Sequence, residues 1–187
     1  MSDAFRAQWQ PKYDHTKLAT GPGGSFAPDP SKSLSLPADR QAIVHAMVTN
    51  LYGAQPTEEA CLKYAMESVY DDPLSYCKNR EEIAGQWYGL PKCFQKCEVL
   101  VHEVVENDED KIVLKLRTQY TGVWGSKDVE SVVILVLAQE EGETKIKYHK
   151  DLWDKDDYEH SGFGHAFKEF NAKVAPHILD LPASLKQ

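Results

Sequence analysis

The stretch Ile146-Lys147-Tyr148-His149-Lys150-Asp151-Leu152-Trp153-Asp154 decides how this chain is read. It has the pattern of a strand. Side chains on a strand alternate between faces, so His149, Asp151 and Trp153 share one side of the sheet. A histidine and a carboxylate two residues apart on one face are an acid–base pair in waiting. A second polar cluster, Tyr70-Asp71-Asp72-Pro73, lies upstream and meets the first across a curved sheet. Together they predict a pocket with acid–base groups at its mouth.

Working outward, four strand-like runs end the β-rich region. Cys97–Glu106 is followed by the polar turn Asn107-Asp108-Glu109-Asp110 and by Lys111–Val123. In the second run Ile112, Leu114, Leu116, Thr118 and Tyr120 face one way, while Lys115, Arg117 and Gln119 face the other. Val129–Gln139 is apolar on both faces, as a central strand covered on each side must be. Glu140-Glu141-Gly142-Glu143 then turns into Thr144–Trp153. His102 shares strand parity with Leu100 and Val104, which points it inwards.

Helices come first in the chain. Ile43, Val44, Met47, Val48 and Leu51 recur at helical spacing after Pro37, with Gly53 as the stop. Thr57 caps a second helix that carries Glu58 and Glu59 in its first turn, buries Ala60, Cys61 and Tyr64, and ends by about Met66. Ser68-Val69-Tyr70 then extends as a short strand. Asn79 caps a third helix, with Glu82 closing a capping box, and Gly89 with Pro91 stops it. Helices followed by a long meander indicate an α+β protein. Residues 1–36, rich in Pro, Gly, Ser and Lys, form a flexible tail. Residues 37–158 form the domain, and residues 159–187 a helical extension whose Phe163, Ala166, Phe167, Phe170 and Val174 make one apolar face.

Composition narrows the function. A net charge of −8 over 187 residues excludes a generic nucleic-acid grip, which needs clustered Lys and Arg. No apolar run reaches the roughly 18 residues of a membrane span. Cys61, Cys77, Cys93 and Cys97 form no CxxC pair, and the start lacks the apolar core of a signal peptide. Reduced thiols in a cytoplasmic protein, with the nucleus as a second location, are the expectation. No metal is expected, since His149 and Asp151 could be two ligands but no third is fixed by spacing.

The order of elements resembles the NTF2-like superfamily, which includes ketosteroid isomerases, SnoaL-like cyclases and noncatalytic binders. The helix Ala42-Ile43-Val44-His45-Ala46-Met47, the Asp72-Pro73 step and the closing strand Ile146–Asp154 carry the likeness, over about residues 38–158. The resemblance implies a cone: a strongly bent, mixed or antiparallel sheet packed on three N-terminal helices, here with an extra C-terminal helix. It also implies an internal pocket and a homodimer through the outer sheet face. In ketosteroid isomerases the Asp of the Asp-Pro step is the general base, which implies that role for Asp72. The Tyr and acid that stabilise the enolate there fall at Met47 and near Leu135 or Val136, so both donors are missing and steroid-type isomerisation is disfavoured. SnoaL-like members fit the closing strand better, and imply acid–base work for His149 and Asp151.

The expectation is therefore a cofactor-independent lyase, isomerase or cyclase acting on a small apolar molecule. Asp72 or His149 moves the proton and Asp151 supports His149, while Tyr64, Tyr70, Trp87, Tyr120, Trp124 and Trp153 hold the substrate. The alternative is a noncatalytic module that binds a ligand or a protein and dimerises through its sheet. In that case Asp72 braces a turn, His149 is a hydrogen-bonded structural ring, Asp151 pairs with neighbouring lysines at the surface, and the aromatics are core lining.

Overall fold

The computed structural model describes residues 27–123, 125–153 and 179–186. The helix opening the domain, α1 (Ala38–His45), follows Pro37 and continues as a π-helical turn over Ala46–Leu51. A one-turn helix α2 (Glu58–Cys61) comes next, with the Thr57 hydroxyl accepting from the Ala60 N–H at 3.1 Å. Helix α3 (Arg80–Cys93) starts at Asn79, whose side chain accepts from the Glu82 N–H at 2.9 Å. The Glu82 carboxylate reaches back one residue further than the expected box, to the Lys78 N–H at 2.8 Å. Pro91 does not stop α3. It removes a single bond in the last turn, which Phe94 N–H to Leu90 C=O closes at 3.2 Å.

Six strands form one sheet in the order β2-β1-β6-β5-β4-β3. They are β1 (Tyr64–Asp71), β2 (Tyr76–Cys77), β3 (Lys96–Asn107), β4 (Lys111–Gly122), β5 (Gly125–Glu140) and β6 (Glu143–Trp153). Neighbours run antiparallel except β1 and β6, which are parallel, so the sheet is mixed. Glu141 and Gly142 both have positive φ, 55° and 82°, and make the tight two-residue hairpin between β5 and β6. Register shifts in β3, between β5 and β6 and between β1 and β6 bend the sheet around the helices.

The inner face packs Ile112, Leu114, Leu116, Val133, Leu135 and Ile146 against Ile43, Met47, Leu51, Ile83 and Trp87. Each such side chain taken out of water contributes roughly 1.5–3 kcal/mol. The outer face is buried too. Val113, Val132, Ile134 and Leu152 form one cluster there, and Val69, Tyr76, Val136 and Tyr148 another.

Two further expectations are corrected. The second helix does not run to Met66. Tyr64 already belongs to β1, where it pairs with Ile146 of β6, so it reaches the interior from the sheet. A bulge between Val99 and Val101 takes Leu100 out of step and leaves it 45% exposed, while His102 keeps the helix-side face of Val104, opposite Leu116, but is exposed there beside α1. The expected helix over Phe163–Val174 and most of the N-terminal tail lie outside the described residues. Among the described residues no helix is long and apolar enough to cross a membrane.

Candidate active site

Strand β6 sends Tyr148, Lys150 and Leu152 to the outer face and His149, Asp151 and Trp153 inwards, as its alternation predicts. Its neighbours fix the rows. Tyr70 of β1 and Leu135 of β5 flank His149, Val133 lies beside Asp151, and Ser131 beside Trp153. His149 is fully buried and Asp151 is 2% exposed, so Asp151 does not pair with surface lysines. Lys150 instead joins Asp71 at 3.1 Å on the opposite face, in a buried ion pair that the Tyr148 hydroxyl also approaches.

Between His149 and Asp151 stands Tyr52, which sequence reasoning missed. Its hydroxyl is 3.1 Å from His149 Nε2 and donates to Asp151 Oδ2 at 2.8 Å. The π-helical turn puts it there. On a regular α-helix five residues advance about 500°, which would leave Tyr52 about 140° away from inward-facing Met47. The wider turn, closed by Tyr52 N–H to Met47 C=O at 2.9 Å, brings both to the same side. Gly53 permits it, because a Cβ there would collide with the Thr49 carbonyl.

On its other side, His149 Nδ1 lies 2.7 Å from the Tyr64 hydroxyl, which accepts from Trp87 Nε1 at 3.2 Å. A single chain of hydrogen bonds thus runs Trp87–Tyr64–His149–Tyr52–Asp151. Tyr70 stands edge-on to the imidazole at 4.8 Å between ring centres, and Trp87 lies 6.2 Å away. Tyr70 donates to Asp72 Oδ2 at 2.6 Å. The other Asp72 oxygen accepts from the N–H groups of Leu74 and Ser75, so Asp72 braces the turn before β2. Tyr120 packs on Phe94 at 5.1 Å. Trp124 lies outside the described residues.

Burial sets the protonation states. It pushes the His149 pKa down to about 3, so the ring is neutral and does not titrate near neutral pH as expected. Desolvation, with the nearby Asp72 charge second, lifts Asp151 to about 7. Hydrogen bonding to the carboxyl from Tyr52, and more loosely from Trp153 and Ser131, opposes that rise. Asp151, not His149, is the group poised at neutral pH. Three buried polar atoms on this face, Asp151 Oδ1, Trp153 Nε1 and Thr118 Oγ1, make no hydrogen bond of full geometry among the described residues, although Trp153 and Ser131 lie against the Asp151 carboxyl and Thr118 against Tyr120. A groove of about 300 Å³ lies elsewhere, between Ser33–Leu36, α1 and β3, with His45, Thr49 and His102 on its walls. It shares no lining residue with the Tyr–His–Asp chain. Among the described residues no group of three or more His, Cys, Asp or Glu side chains could hold a metal ion. Cys61, Cys77, Cys93 and Cys97 are free thiols.

No protein-family model matches the chain, and no curated protein is significantly similar to it. Solved structures are. An NTF2-like protein from Anabaena variabilis superposes with a TM-score of 0.55 at 10% identity, over 66% of this chain and 96% of its own. The fold is the NTF2-like cone. A function-unknown protein from Mycobacterium tuberculosis superposes at 0.51 with 12% identity, over 78% of this chain and 91% of its own. A scytalone dehydratase candidate from Novosphingobium aromaticivorans superposes at 0.50 with 12% identity, over 65% and 86%. At such identities the likeness is one of fold, and within the NTF2-like cone the chemistry rests on the side chains above.

Proposed function

We propose that this NTF2-like chain is a cofactor-independent lyase or isomerase that moves a proton on a small, largely apolar molecule, with Asp151 as the acid–base group. One observation carries the reading: a fully buried carboxyl with a pKa near 7 is anchored at one oxygen by Tyr52, while its other oxygen makes no hydrogen bond of full geometry and has only the looser contacts of Trp153 and Ser131 about the group. A buried polar atom left unpaired costs about 1–3 kcal/mol. A ligand that brings complementary polar groups would improve on the loose contacts that Asp151, Trp153 and Thr118 make on this face. Trp153 Nε1–H and the Thr118 hydroxyl can donate to an oxygen that gains negative charge, while Asp151 Oδ1 takes a proton from carbon or returns one to a leaving hydroxyl. The dehydratase candidate of the same fold is consistent with a lyase, by analogy alone.

Deuterium exchange next to the carbonyl of small cyclic ketones, followed by NMR, tests the reading. Exchange should rise through a midpoint near pH 7 and vanish in Asp151→Asn. Ligands that bind without exchange or turnover across such a panel would leave the second reading, a noncatalytic binding module. The complete burial of His149 between two tyrosines favours that alternative. Light scattering decides the homodimer proposed with either reading, since the outer apolar cluster at Val113, Val132, Ile134 and Leu152 is already buried within one chain.

A further inference from the structure

Hydrogen counting along the buried chain assigns its direction. A hydroxyl has one hydrogen to give, a neutral imidazole one N–H, and an indole N–H can only donate. With the hydrogen of His149 on Nε2, every link is made. Trp87 donates to Tyr64, Tyr64 to Nδ1, Nε2–H to Tyr52, and Tyr52 to Asp151 Oδ2. With the hydrogen on Nδ1, Tyr64 would have to turn to the Met47 sulfur, 3.6 Å away and a weak acceptor. Nε2 would then compete with Asp151 for the one hydrogen of Tyr52. The first arrangement wins on count and on bond strength.

We propose that Tyr64, His149 and Tyr52 form a one-way latch: Tyr64 holds His149 as the Nε2–H tautomer, that tautomer aims the Tyr52 hydrogen at Asp151 Oδ2, and proton transfer to a ligand is confined to Oδ1. His149 is then a positioning residue and not an acid or base. Tyr64, which does not touch Asp151, is one too. The balance is simple. One proton enters at Oδ1 and the same proton leaves from Oδ1, while the three hydrogens of the latch stay on their own atoms.

The groups facing Asp151 are Asp72 from the turn after β1, Tyr52 from the π-helical turn, Trp153 of β6 and Ser131 of β5. Tyr70 of β1 and Tyr120 of β4 also feel its charge. Asp72 is the one further carboxylate named among them, so the titration followed at Asp151 is to be read beside that of Asp72.

The inference rests on Asp151 as the proposed acid–base group, yet its readouts need no substrate, so it can fail while that activity stands, and the reverse. The test is NMR on the full chain with labelled imidazole nitrogens and Asp carboxyl carbons. From pH 5 to pH 8, as the Asp151 carboxyl carbon titrates, His149 should stay neutral with Nε2 protonated and both nitrogen shifts unchanged. Tyr64→Phe should raise the Asp151 midpoint by about half a pH unit, through loss of cooperative strengthening along the chain. In a Tyr52→Phe background the same substitution should leave that midpoint unmoved, because the link is already cut. An Nδ1–H ring, or a tautomer that changes with the Asp151 midpoint, overturns the latch. So does a Tyr64→Phe effect that survives the loss of the Tyr52 hydroxyl, since that would mark a merely structural disturbance.

Discussion

Asp151 and His149 pull stability in opposite directions with pH, and removing either should expose the other. Asp151 is lifted from 3.8 to about 7 in the fold, so its contribution is full below pH 3.8 and is lost as pH rises through 7. His149 is lowered from 6.5 to about 3, so its contribution is full above pH 6.5 and is lost as pH falls towards 3. With one pKa unit worth about 1.4 kcal/mol, the raised pKa of Asp151 lowers folding stability, relative to full protonation in both states, by about 2 kcal/mol at pH 5 and about 4 kcal/mol at pH 8. Keeping His149 neutral costs about 2 kcal/mol at pH 5 and almost nothing at pH 8. Between these pH values the two nearly cancel, leaving a net change below about 1 kcal/mol from the pair. Relative to wild type, Asp151→Asn should therefore gain about 3 kcal/mol on going from pH 5 to pH 8, and His149→Gln should lose about 2 kcal/mol. Urea unfolding at the two pH values measures both, and the pH-independent cost of each substitution drops out of the difference. Parallel stability profiles for Asp151→Asn and wild type would refute the burial argument.

Other perturbations test the frame around the site. Breaking the buried Asp71–Lys150 pair by Lys150→Met alone should destabilise by about 3–5 kcal/mol in urea unfolding, whereas adding Asp71→Leu should recover most of the loss. Gly53→Ala forces a methyl against the Thr49 carbonyl, and should cost about 1–3 kcal/mol while shifting the Tyr52 ring resonances. Asn79→Ala removes the cap of α3 and should cost about 1 kcal/mol, read as a lower melting temperature with Asp151 titration unchanged.

The sheet was legible because its signals are local. Alternation in β6 puts His149, Asp151 and Trp153 on one face without reference to anything distant, and the positive φ at Glu141 and Gly142 suits the turn read there. Caps at Thr57 and Asn79 were legible for the same reason. What failed depended on partners far along the chain. Tyr64 follows a well-capped helix start and is helical by local preference, but parallel pairing with β6 claims it for the sheet. Leu100 was misplaced because a bulge leaves no mark on a two-residue alternation, whereas His102 and Val104 keep the face read for them. Tyr52 could not be found by helical spacing, since only a π-helical turn brings it beside Met47, although Gly53 immediately after it was a visible sign of tight backbone approach.

Asp72 separates the two ways of reading the site. The resemblance implies that it is the base, but Tyr70 and the N–H groups of Leu74 and Ser75 engage both its oxygens. A base needs a lone pair aimed at its substrate, and a carboxylate committed to a turn is poorly placed to offer one. Its charge, however, is felt at Asp151, where it is the largest contribution after desolvation to the raised pKa. A fixed negative charge beside a second carboxyl keeps that carboxyl protonated to higher pH. Asp72→Asn preserves the carbonyl oxygen that Leu74 and Ser75 bond and removes the charge. If Asp72 is a charge rather than a base, the Asp151 midpoint falls below 7 in that variant and the pH profile of ketone exchange moves down with it, while exchange persists. Loss of exchange at every pH, with the fold intact by circular dichroism and the Asp151 midpoint unmoved, would return the role of base to Asp72.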